Sequence, residues 1–428
     1  MKVHRYPSKE CLNQILSRPE SNVDNLSTIV SGILADVKQN GDAAIRRYTK
    51  TFDDCDIEVL AVSDEEILSA GKRVAQELKA AIDVAAENIA TFHTSQREVS
   101  DVIETTNGVF CWRKSVPIDN VGLYVPGGTA PLFSTVLMLA VPAKLAGCRE
   151  IIMCSPPDRN GNINDTILYT AAVCGVTQIF KVGGAQAVAA MAYGTETIPK
   201  ADKIFGPGNR YVTHAKQLVS TAVAIDMPAG PSEMAVLADE SSVPRFIAAD
   251  LLSQAEHGVD SQVLLVSTSG NVIEQTLAEL EKQLSGLPRR GIASAALEKS
   301  TAVLAEDIDR GLEIVNTYAP EHLILAVEKA DEIAEKVTNA GSVFLGNYSC
   351  ESAGDYASGT NHTLPTGGFA RSFSGVSLDS FVKKITFQRL TAEGMRNLGP
   401  AIETMAAAEG LDAHRRAVSI RLEDINGI

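Results

Sequence analysis

The 428-residue chain lacks any excess of positive charge. It has 38 Lys and Arg residues against 53 Asp and Glu residues, which gives a formal net charge of −15. A surface of this sign repels phosphate backbones and anionic lipids, so we predict that neither nucleic acid nor a membrane is a main partner. The longest apolar run, around residues 136–141, is too short to span a bilayer and is followed by Pro142 and Lys144.

Paired cysteines are also lacking. The seven cysteines are scattered, and no two of them stand in a CxxC pattern. This spacing excludes a cysteine-based zinc site and a disulfide framework, and it favours a reducing compartment. The first ten residues contain no apolar core of the kind that a secretory signal needs. We therefore predict a cytoplasmic protein.

Short apolar runs alternate with segments of helical length from residue 120 onwards. Such alternation predicts parallel sheets covered by helices, and it restarts near Pro228. The predicted strands are 121–125, 150–154, 178–182, 203–205 and 222–226 in the first stretch, and 234–238, 262–267, 322–327 and 341–345 in the second. The sequence therefore predicts an α/β fold with two parallel-sheet domains.

The restart also predicts how the chain divides into domains. The predicted parts are an N-terminal arm (1–20), a first α/β domain (21–120 and 231–377), a second α/β domain (121–230) and a helical C-terminal segment (378–428). Helices are expected at 24–49 and 64–96, and Asn107-Gly108 predicts a β-hairpin. In this division the helices before residue 100 cover the sheet of the first domain.

Three glycine-bearing turns follow predicted strands of the 121–230 domain. They are Tyr124-Val-Pro-Gly-Gly-Thr129, Val182-Gly-Gly-Ala-Gln186 and Phe205-Gly-Pro-Gly-Asn209. Because the carboxyl ends of parallel strands meet at one edge, these turns would line one crevice whose backbone N–H groups can hold a phosphate. Gln186 and Asn209 are then candidates for contacts with a nucleotide cofactor. In the alternative interpretation, their side chains only cap the helices that follow.

A second group of polar residues suggests a metal site. Gln254 and His257 stand three residues apart at the end of a predicted helix, so their side chains leave the same face. An imidazole and an amide oxygen could form half of a zinc site, although surface or capping roles are the commoner use of such a pair. The polar loop 351–362 adds Asp355 as a candidate carboxylate ligand and His362 as its rival.

Two further segments combine an acid with a histidine. Glu321-His322 stands at the entrance of a predicted strand, where both side chains can border a cleft, and histidine is the natural general base near neutral pH. The alternative is an exposed acid beside a packed histidine. Glu409 and His414 flank the start of the last predicted helix, where the alternative is a solvated tail.

Taken together, these segments resemble the histidinol dehydrogenases, zinc enzymes that end histidine biosynthesis. The resemblance covers nearly the whole chain. Its motifs here are Gly-Leu-Tyr-Val-Pro-Gly-Gly (122–128), Gly-Pro-Gly-Asn (206–209), Ala-Gly-Pro-Ser-Glu (229–233), Leu-Leu-Ser-Gln-Ala-Glu-His-Gly (251–258), Tyr-Ala-Pro-Glu-His-Leu (318–323), Asp-Tyr-Ala-Ser-Gly-Thr-Asn-His-Thr-Leu-Pro-Thr (355–366) and Leu-Asp-Ala-His (411–414). Their combination in this order is far more specific than any one of them.

The resemblance implies a set of site residues. One Zn²⁺ per subunit would be held by Gln254, His257, Asp355 and His414. NAD would contact Tyr124, Gln186 and Asn209. L-Histidinol would be bound by Ser232, Gln254, His257, His322, Asp355, Glu409 and His414. Glu321 and His322 would do the acid–base work.

The resemblance also implies an assembly and a fold. The family forms homodimers with shared active sites, in which the C-terminal segment crosses to the partner subunit. Its fold consists of two incomplete Rossmann-like parallel-sheet domains with small N- and C-terminal helical segments. The implied reaction is the four-electron oxidation of L-histidinol to L-histidine through bound histidinal.

Two other classes of function fit part of the pattern. A zinc hydrolase would also use a metal, a Glu and a His, but it has no use for three glycine-rich turns. A two-lobed binding protein could close on a small ligand without changing it, although such proteins are usually exported.

Overall fold

The computed structural model describes residues 1–18, 23–98, 100–127 and 131–427. Gly128 and Thr129, part of the first predicted glycine turn, lie outside the described residues. Two compact units are formed, a larger one by residues 1–95 and 118–381 and a smaller one by residues 96–117 and 382–428. No helix in the described part of the chain has both the length and the apolar character to cross a membrane.

In chain order the strands are β1 (Lys2–Arg5), β2 (Ile103–Thr106), β3 (Val109–Pro117), β4 (Asn120–Tyr124), β5 (Glu150–Ser155), β6 (Gln178–Lys181), β7 (Lys203–Phe205), β8 (Ala224–Ile225), β9 (Glu233–Ala238), β10 (Gln262–Ser267), β11 (Thr301–Leu304), β12 (His322–Ala326), β13 (Ser342–Leu345) and β14 (Val382–Leu390). The α-helices are α1 (Lys9–Ile15), α2 (Val23–Phe52), α3 (Asp64–Arg73), α4 (Gln76–Thr94), α5 (Phe133–Ala146), α6 (Asp165–Cys174), α7 (Gly184–Tyr193), α8 (Arg210–Val219), α9 (Pro244–Ala255), α10 (Gly270–Leu284), α11 (Arg290–Glu298), α12 (Ile308–Tyr318), α13 (Ala330–Ala334), α14 (Glu351–Tyr356), α15 (Ala392–Ala408) and α16 (Asp412–Asn426).

The larger unit contains a five-stranded parallel sheet in the order β6-β5-β4-β7-β8. The first strand, β4, is central; β5 and β6 are added on one side of it, and then β7 and β8 on the other. This is the order of a Rossmann sheet that lacks its last strand. Helices cover both faces, which is why β4, β5, β6 and β7 are buried after their first residue instead of at alternate residues. The α/β prediction is confirmed for this part of the chain.

Helices α2, α3 and α4 pack against this five-stranded sheet. Val30 and Ile33 of α2 share a core with Ile152 and Phe180 of the sheet. Ala70 of α3 and residues of α4 join the core on the opposite face. The expectation that the helices before residue 100 cover the sheet of residues 231–377 is therefore wrong. An amphipathic stripe shows that a helix covers an apolar surface, but it does not identify which surface.

The larger unit also contains a six-stranded parallel sheet in the order β1-β11-β10-β9-β12-β13. Without β1 its strand order repeats that of the five-stranded sheet. Helices α9, α10 and α11 cover one face, and α1, α12 and α13 cover the other. The predicted N-terminal arm is thus part of this sheet, because residues 2–5 pair with residues 301–304.

The smaller unit combines an antiparallel sheet, in the order β14-β3-β2, with the packed pair α15 and α16. The predicted hairpin is confirmed, with Asn107-Gly108 joining β2 to β3, and Gly108 has a φ of +82°, which glycine adopts without strain. The prediction that residues 378–428 are helical is wrong at its start, where β14 pairs with β3 over residues 382–390. Trp112 and Phe387 stack across this pair, which gives the strand a packing partner that its own sequence does not reveal.

Candidate functional site

The predicted acid–base pair lies at the amino edge of the six-stranded sheet. Glu321 immediately precedes β12 and His322 is its first residue. Both are buried, with 7% and 3% of their surface exposed. His322 Nδ1 lies 3.7 Å from Glu321 Oε2, so the two side chains border one pocket as the strand-entrance position suggested.

The short helix α14 supplies two more carboxylates to this pocket. Glu351 and Asp355 stand one helical turn apart and therefore leave the same face. His322 Nδ1 lies 3.6 Å from Glu351 Oε1, and His322 Nε2 lies 3.5 Å from Asp355 Oδ1. The ligand atoms of His322, Glu351 and Asp355 lie within 4.8 Å of one another, so they could hold a metal ion.

The end of α9 faces the same carboxylates, with Gln254 in its last turn and His257 two residues after its last residue, Ala255. Gln254 is fully buried, and the amide orientation that suits its neighbours donates to Glu351 Oε1 and accepts from the Glu233 N–H. His257 stands at the exposed rim, with its Nδ1 3.5 Å from Ser232 Oγ. The structure therefore places Ser232, Gln254 and His257 around one pocket.

Burial and charge separate the proton affinities of these groups. Burial raises the pKa of the Glu321 carboxyl to about 8 and that of Glu351 to about 7. Burial alone would lower the pKa of His322, but the carboxylates of Glu321, Asp355 and Glu351 raise it to about 10. The pKa of Asp355 is lowered, because its interactions with the surrounding histidines outweigh the effect of burial. Neighbouring ionisable groups whose pKa values are shifted this far from their ordinary values are typical of acid–base catalytic sites.

His362, the rival metal ligand, uses both ring nitrogens within the protein. Its Nδ1 lies 2.9 Å from the backbone oxygen of Asp355, and its Nε2 lies 3.3 Å from Thr135 Oγ1 in the first turn of α5. These contacts favour Asp355 over His362 as a ligand. They also connect the carboxylate pocket to the helix that follows the first glycine turn.

The donor set of this pocket fits a cation. Glu321, Glu351 and Asp355 bring three carboxyl groups against one buried imidazole, and Asp355 Oδ1 is buried without a hydrogen bond. A cation among these carboxyl groups would allow them to ionise despite their burial, and the unpaired Asp355 oxygen could act as one of its ligands. Zinc accepts this mixture of nitrogen and oxygen ligands.

A second candidate site lies at the carboxyl edge of the five-stranded sheet. Tyr124 ends β4, is almost fully buried, and its hydroxyl accepts a hydrogen bond of 3.2 Å from the Gly184 N–H. Gln186 is buried too, and its Oε1 has no hydrogen-bond partner. It does not cap its helix, since the N-cap of α7 is Gly183 without a side-chain bond. An unpaired amide oxygen beside glycine turns fits a nucleotide ligand.

The turn after β7 is fixed by a buried ion pair. Gly206 has a φ of +127°, and a Cβ there would lie 2.1 Å from the Tyr124 backbone oxygen. Lys216 donates to the Gly206 carbonyl at 2.8 Å, and Asp226, its ion-pair partner, accepts from the Gly206 N–H at 2.8 Å. Asn209 Oδ1 caps α8 at 3.0 and 3.2 Å, so the capping alternative describes this oxygen correctly.

The remaining two predicted site residues belong to the smaller unit. Glu409 follows the last residue of α15, and His414 lies in the first turn of α16. Both are exposed, and Gly410 between them turns the chain with a φ of +70°.

Sequence reasoning missed Glu351, although its spacing of four residues from Asp355 could have revealed it. It also missed Arg18 and Glu233, which form a two-bond ion pair across 215 residues of sequence. No local signal predicts a contact of that separation.

Comparisons with known proteins show which family the chain is similar to. A family model described as histidinol dehydrogenase matches residues 16–422. The chain is 59% identical over 426 residues to the histidinol dehydrogenase of Bacteroides thetaiotaomicron, covering 99% of this chain and 100% of that protein. It is 51% identical over 413 residues to that of Escherichia coli, covering 96% and 94%. A crystal structure of histidinol dehydrogenase from Elizabethkingia anophelis matches with a TM-score of 0.98 at 56% identity, covering 100% of this chain and 99% of that one.

Proposed function

The chain belongs to the histidinol dehydrogenase family, and we propose that it oxidises L-histidinol to L-histidine with NAD, in the last step of histidine biosynthesis. The observation that carries this proposal is the buried pairing of Glu321 with His322 beside Asp355. The overall change is L-histidinol + 2 NAD⁺ + water → L-histidine + 2 NADH + 3 H⁺. Four electrons leave the substrate as two hydrides, so the aldehyde must stay bound between the two transfers.

His322 is the proposed base of the first transfer. As hydride leaves the alcohol carbon for NAD⁺, the hydroxyl proton passes to the His322 ring and the carbon–oxygen bond becomes a carbonyl. With no cation bound, the surrounding carboxylates hold this ring protonated, with a pKa of about 10. A zinc ion in this pocket would offset their charge and lower the pKa, so that the neutral ring can accept the proton. Glu351 and Asp355 then stabilise the imidazolium that forms. General-base catalysis of this kind contributes about 10²–10⁴-fold to a rate.

Glu321 is the proposed base of the second transfer. It takes a proton from water while the water oxygen bonds to the aldehyde carbon, and the resulting hydrate gives its hydride to a second NAD⁺. A pKa of about 8 suits a group that must exchange protons near neutral pH. The acid product then ionises, which releases the third proton.

Gln254, His257, Asp355 and His414 of the partner subunit are the proposed zinc ligands. Bound there, zinc would hold the amino and imidazole nitrogens of the substrate and so orient it. Ser232, His322 and Glu409 of the partner subunit would complete the contacts with histidinol. Tyr124, Gln186 and Asn209 would contact NAD at the carboxyl edge of the five-stranded sheet, where the Gln186 oxygen has no partner.

The proposed homodimer can be tested by mixing subunits. His322→Asn and His414→Asn should each be inactive alone, whereas a mixture that exchanges subunits should recover activity in hybrid dimers with one intact site. Absence of recovery despite demonstrated exchange would show that each site is built within one chain.

The direct test of the reaction counts products. Zinc-loaded protein incubated with L-histidinol and NAD⁺ should form two NADH per L-histidine. Formation of NADH separates this activity from that of a zinc hydrolase or a binding protein. A ratio of one, with aldehyde released into solution, would reject the four-electron reaction, and absence of NADH would reject the dehydrogenase.

Glu321→Gln separates the two half-reactions. The variant should retain oxidation of histidinol to histidinal but lose about 10²–10⁴-fold in the oxidation of supplied histidinal, because the base that activates water is gone. Equal losses in both half-reactions would contradict the role given to Glu321.

A further inference from the structure

The guanidinium of Arg18 lies next to the acid–base pocket without reaching it. Arg18 follows α1 and is about three-quarters buried, with 24% of its side chain exposed. Its Nε and Nη2 donate to the two carboxylate oxygens of Glu233 at 2.5 and 2.8 Å. A two-bond contact of this kind fixes direction as well as distance, because the guanidinium and carboxylate planes must align.

Because Glu233 is held in place, it in turn restricts the position of the Glu321 carboxylate. The Glu233 side chain is buried and also accepts a bond of 2.9 Å from the Gly367 N–H, so it has little freedom. Its own backbone N–H donates to Glu321 Oε2 at 2.9 Å. The position of the Glu321 oxygen therefore depends on where the first residue of β9 is held.

Arg18 also holds the chain segment that leads into Glu321. Its Nη2 donates to the Tyr318 carbonyl at 2.8 Å, and its guanidinium lies 4.3 Å above the Tyr318 ring. The next residue, Ala319, adopts a left-handed conformation with a φ of +52°, which a residue with a side chain rarely does. Such a turn persists only where its surroundings hold it, and Arg18 is one of those contacts.

We propose that Arg18 is a positioning residue for Glu321, acting through Glu233 on one side and through the Tyr318–Ala319 turn on the other. This inference rests on the proposed function, in which Glu321 activates water for aldehyde oxidation. Arg18 touches neither substrate nor cofactor in this assignment. Its loss changes the direction of the Glu321 carboxylate and leaves the His322 ring in contact with Glu351 and Asp355.

The test compares the two half-reactions in Arg18→Gln and Arg18→Lys. Arg18→Gln should slow the oxidation of supplied histidinal by about 10–100-fold, since small misplacements of a catalytic group have effects of this size. The oxidation of histidinol to histidinal should change by less than about threefold. Arg18→Lys restores the charge but not the planar pair of donors, so it should recover the second half-reaction only partly.

Arg5→Gln is the matched control. Arg5 lies in the same N-terminal segment and pairs with Glu274 at 3.4 Å, but this ion pair is exposed and remote from the carboxylate pocket. The control should leave both half-reactions unchanged. Thermal unfolding, zinc content and NAD binding are measured for every variant, and a positioning role predicts that zinc content and NAD binding stay at the level of the unaltered protein.

Equal slowing of both half-reactions in the Arg18 variants, or no slowing in either, overturns the positioning role. If Arg18→Gln does not fold, Arg18→Lys decides by the same criterion. Glu321→Gln measured in parallel separates this failure from failure of the proposed function. If Glu321→Gln loses only aldehyde oxidation while the Arg18 variants do not, the function stands and the positioning role of Arg18 is wrong.

Discussion

The two parallel sheets of the larger unit share one strand order but carry their polar groups at opposite edges. In the five-stranded sheet, the glycine turns and Gln186 lie at the carboxyl edge, where ligands of open α/β sheets usually bind. In the six-stranded sheet, Glu321 and His322 lie at the amino edge of β12. Both groups of polar residues lie at an end of the two central strands of their sheet. These strands are β4 and β7 in one sheet and β9 and β12 in the other, and the strand order changes direction between them.

The carboxyl edge of β9 and β12 is closed by a side chain. Asp239, just after β9, accepts from the N–H groups of Ser241 at 2.9 Å and Glu328 at 3.0 Å. Ser242 adds a bond of 2.7 Å to the Ala326 carbonyl. These contacts join the two turns that would otherwise form the walls of a crevice. The equivalent turns of the five-stranded sheet contain glycines instead, which let the backbone approach a ligand.

The difference shows that a shared strand order does not determine where a site forms. The polar groups at one edge are backbone N–H groups of glycine turns, and those at the other edge are buried side chains. In the proposed function the first bind an anion, and the second bind a cation and the substrate. Four predictions test whether these two places are separate in function.

The largest expected effect comes from the amino edge. His322→Asn should lower histidinol oxidation by about 10²–10⁴-fold, because the proposed base for the alcohol proton is lost. NADH formation measures the rate, and calorimetric titration should show unchanged NAD affinity. Weaker NAD binding in this variant would mean that the two edges are not independent.

Metal binding should depend on the amino edge alone. His257→Asn should weaken zinc binding by at least about 10-fold, since even loss of an outer partner of a metal ligand costs 10–100-fold. Metal analysis after dialysis against a chelator measures this loss, with NAD binding as the control. Stoichiometric zinc retained under those conditions would remove His257 from the proposed ligands.

A single added methyl group at the carboxyl edge of the five-stranded sheet should lower both the stability of the protein and its affinity for NAD. Gly206→Ala places a Cβ against the Tyr124 backbone oxygen, whereas the matched Gly346→Ala, with a φ of +81°, meets nothing within 4 Å. Gly346→Ala should cost only the about 1–2 kcal/mol of the left-handed conformation, and Gly206→Ala should cost more. Denaturant unfolding and NAD titration measure both effects. Equal stability losses with intact NAD affinity would contradict the role of this turn.

The smallest expected effect concerns Asp53, whose charge acts on Tyr124 near the carboxyl edge. Burial raises the pKa of Asp53 to about 6. An unfolded Asp titrates near about 3.9, so the native state binds the proton more tightly and stability falls as pH rises from about 4 to about 6.

Asp53→Asn should remove this fall. The variant should gain about 1 kcal/mol or less above pH 6, because Asp53 is only partly buried. Unfolding curves between pH 4 and 7 measure the difference. If the difference in unfolding free energy between the variant and the unaltered protein does not grow across this range, the pKa of Asp53 is not raised in the folded state.

The sequence revealed those features that depend on local spacing. Apolar runs located most strands to within two residues. Gln254 and His257 were recognisable as neighbours from their spacing, although α9 ends at Ala255 and His257 lies two residues beyond it. The resemblance supplied the distant residues and their roles. The assignment of α2 to a sheet and the pairing of Arg18 with Glu233 could not be predicted, because both depend on contacts between segments far apart in the chain.

The pairing of β1 with β11 has a consequence for how the protein is made. Residues 2–5 cannot join the sheet until residues 301–304 have left the ribosome, so β1 is translated long before the strand with which it pairs. Arg18 can complete its contacts only later still, because they include the carbonyl of Tyr318. Until β11 is made, the backbone groups of β1 lack the strand with which they pair, and an unpaired strand of this kind can pair with other chains instead.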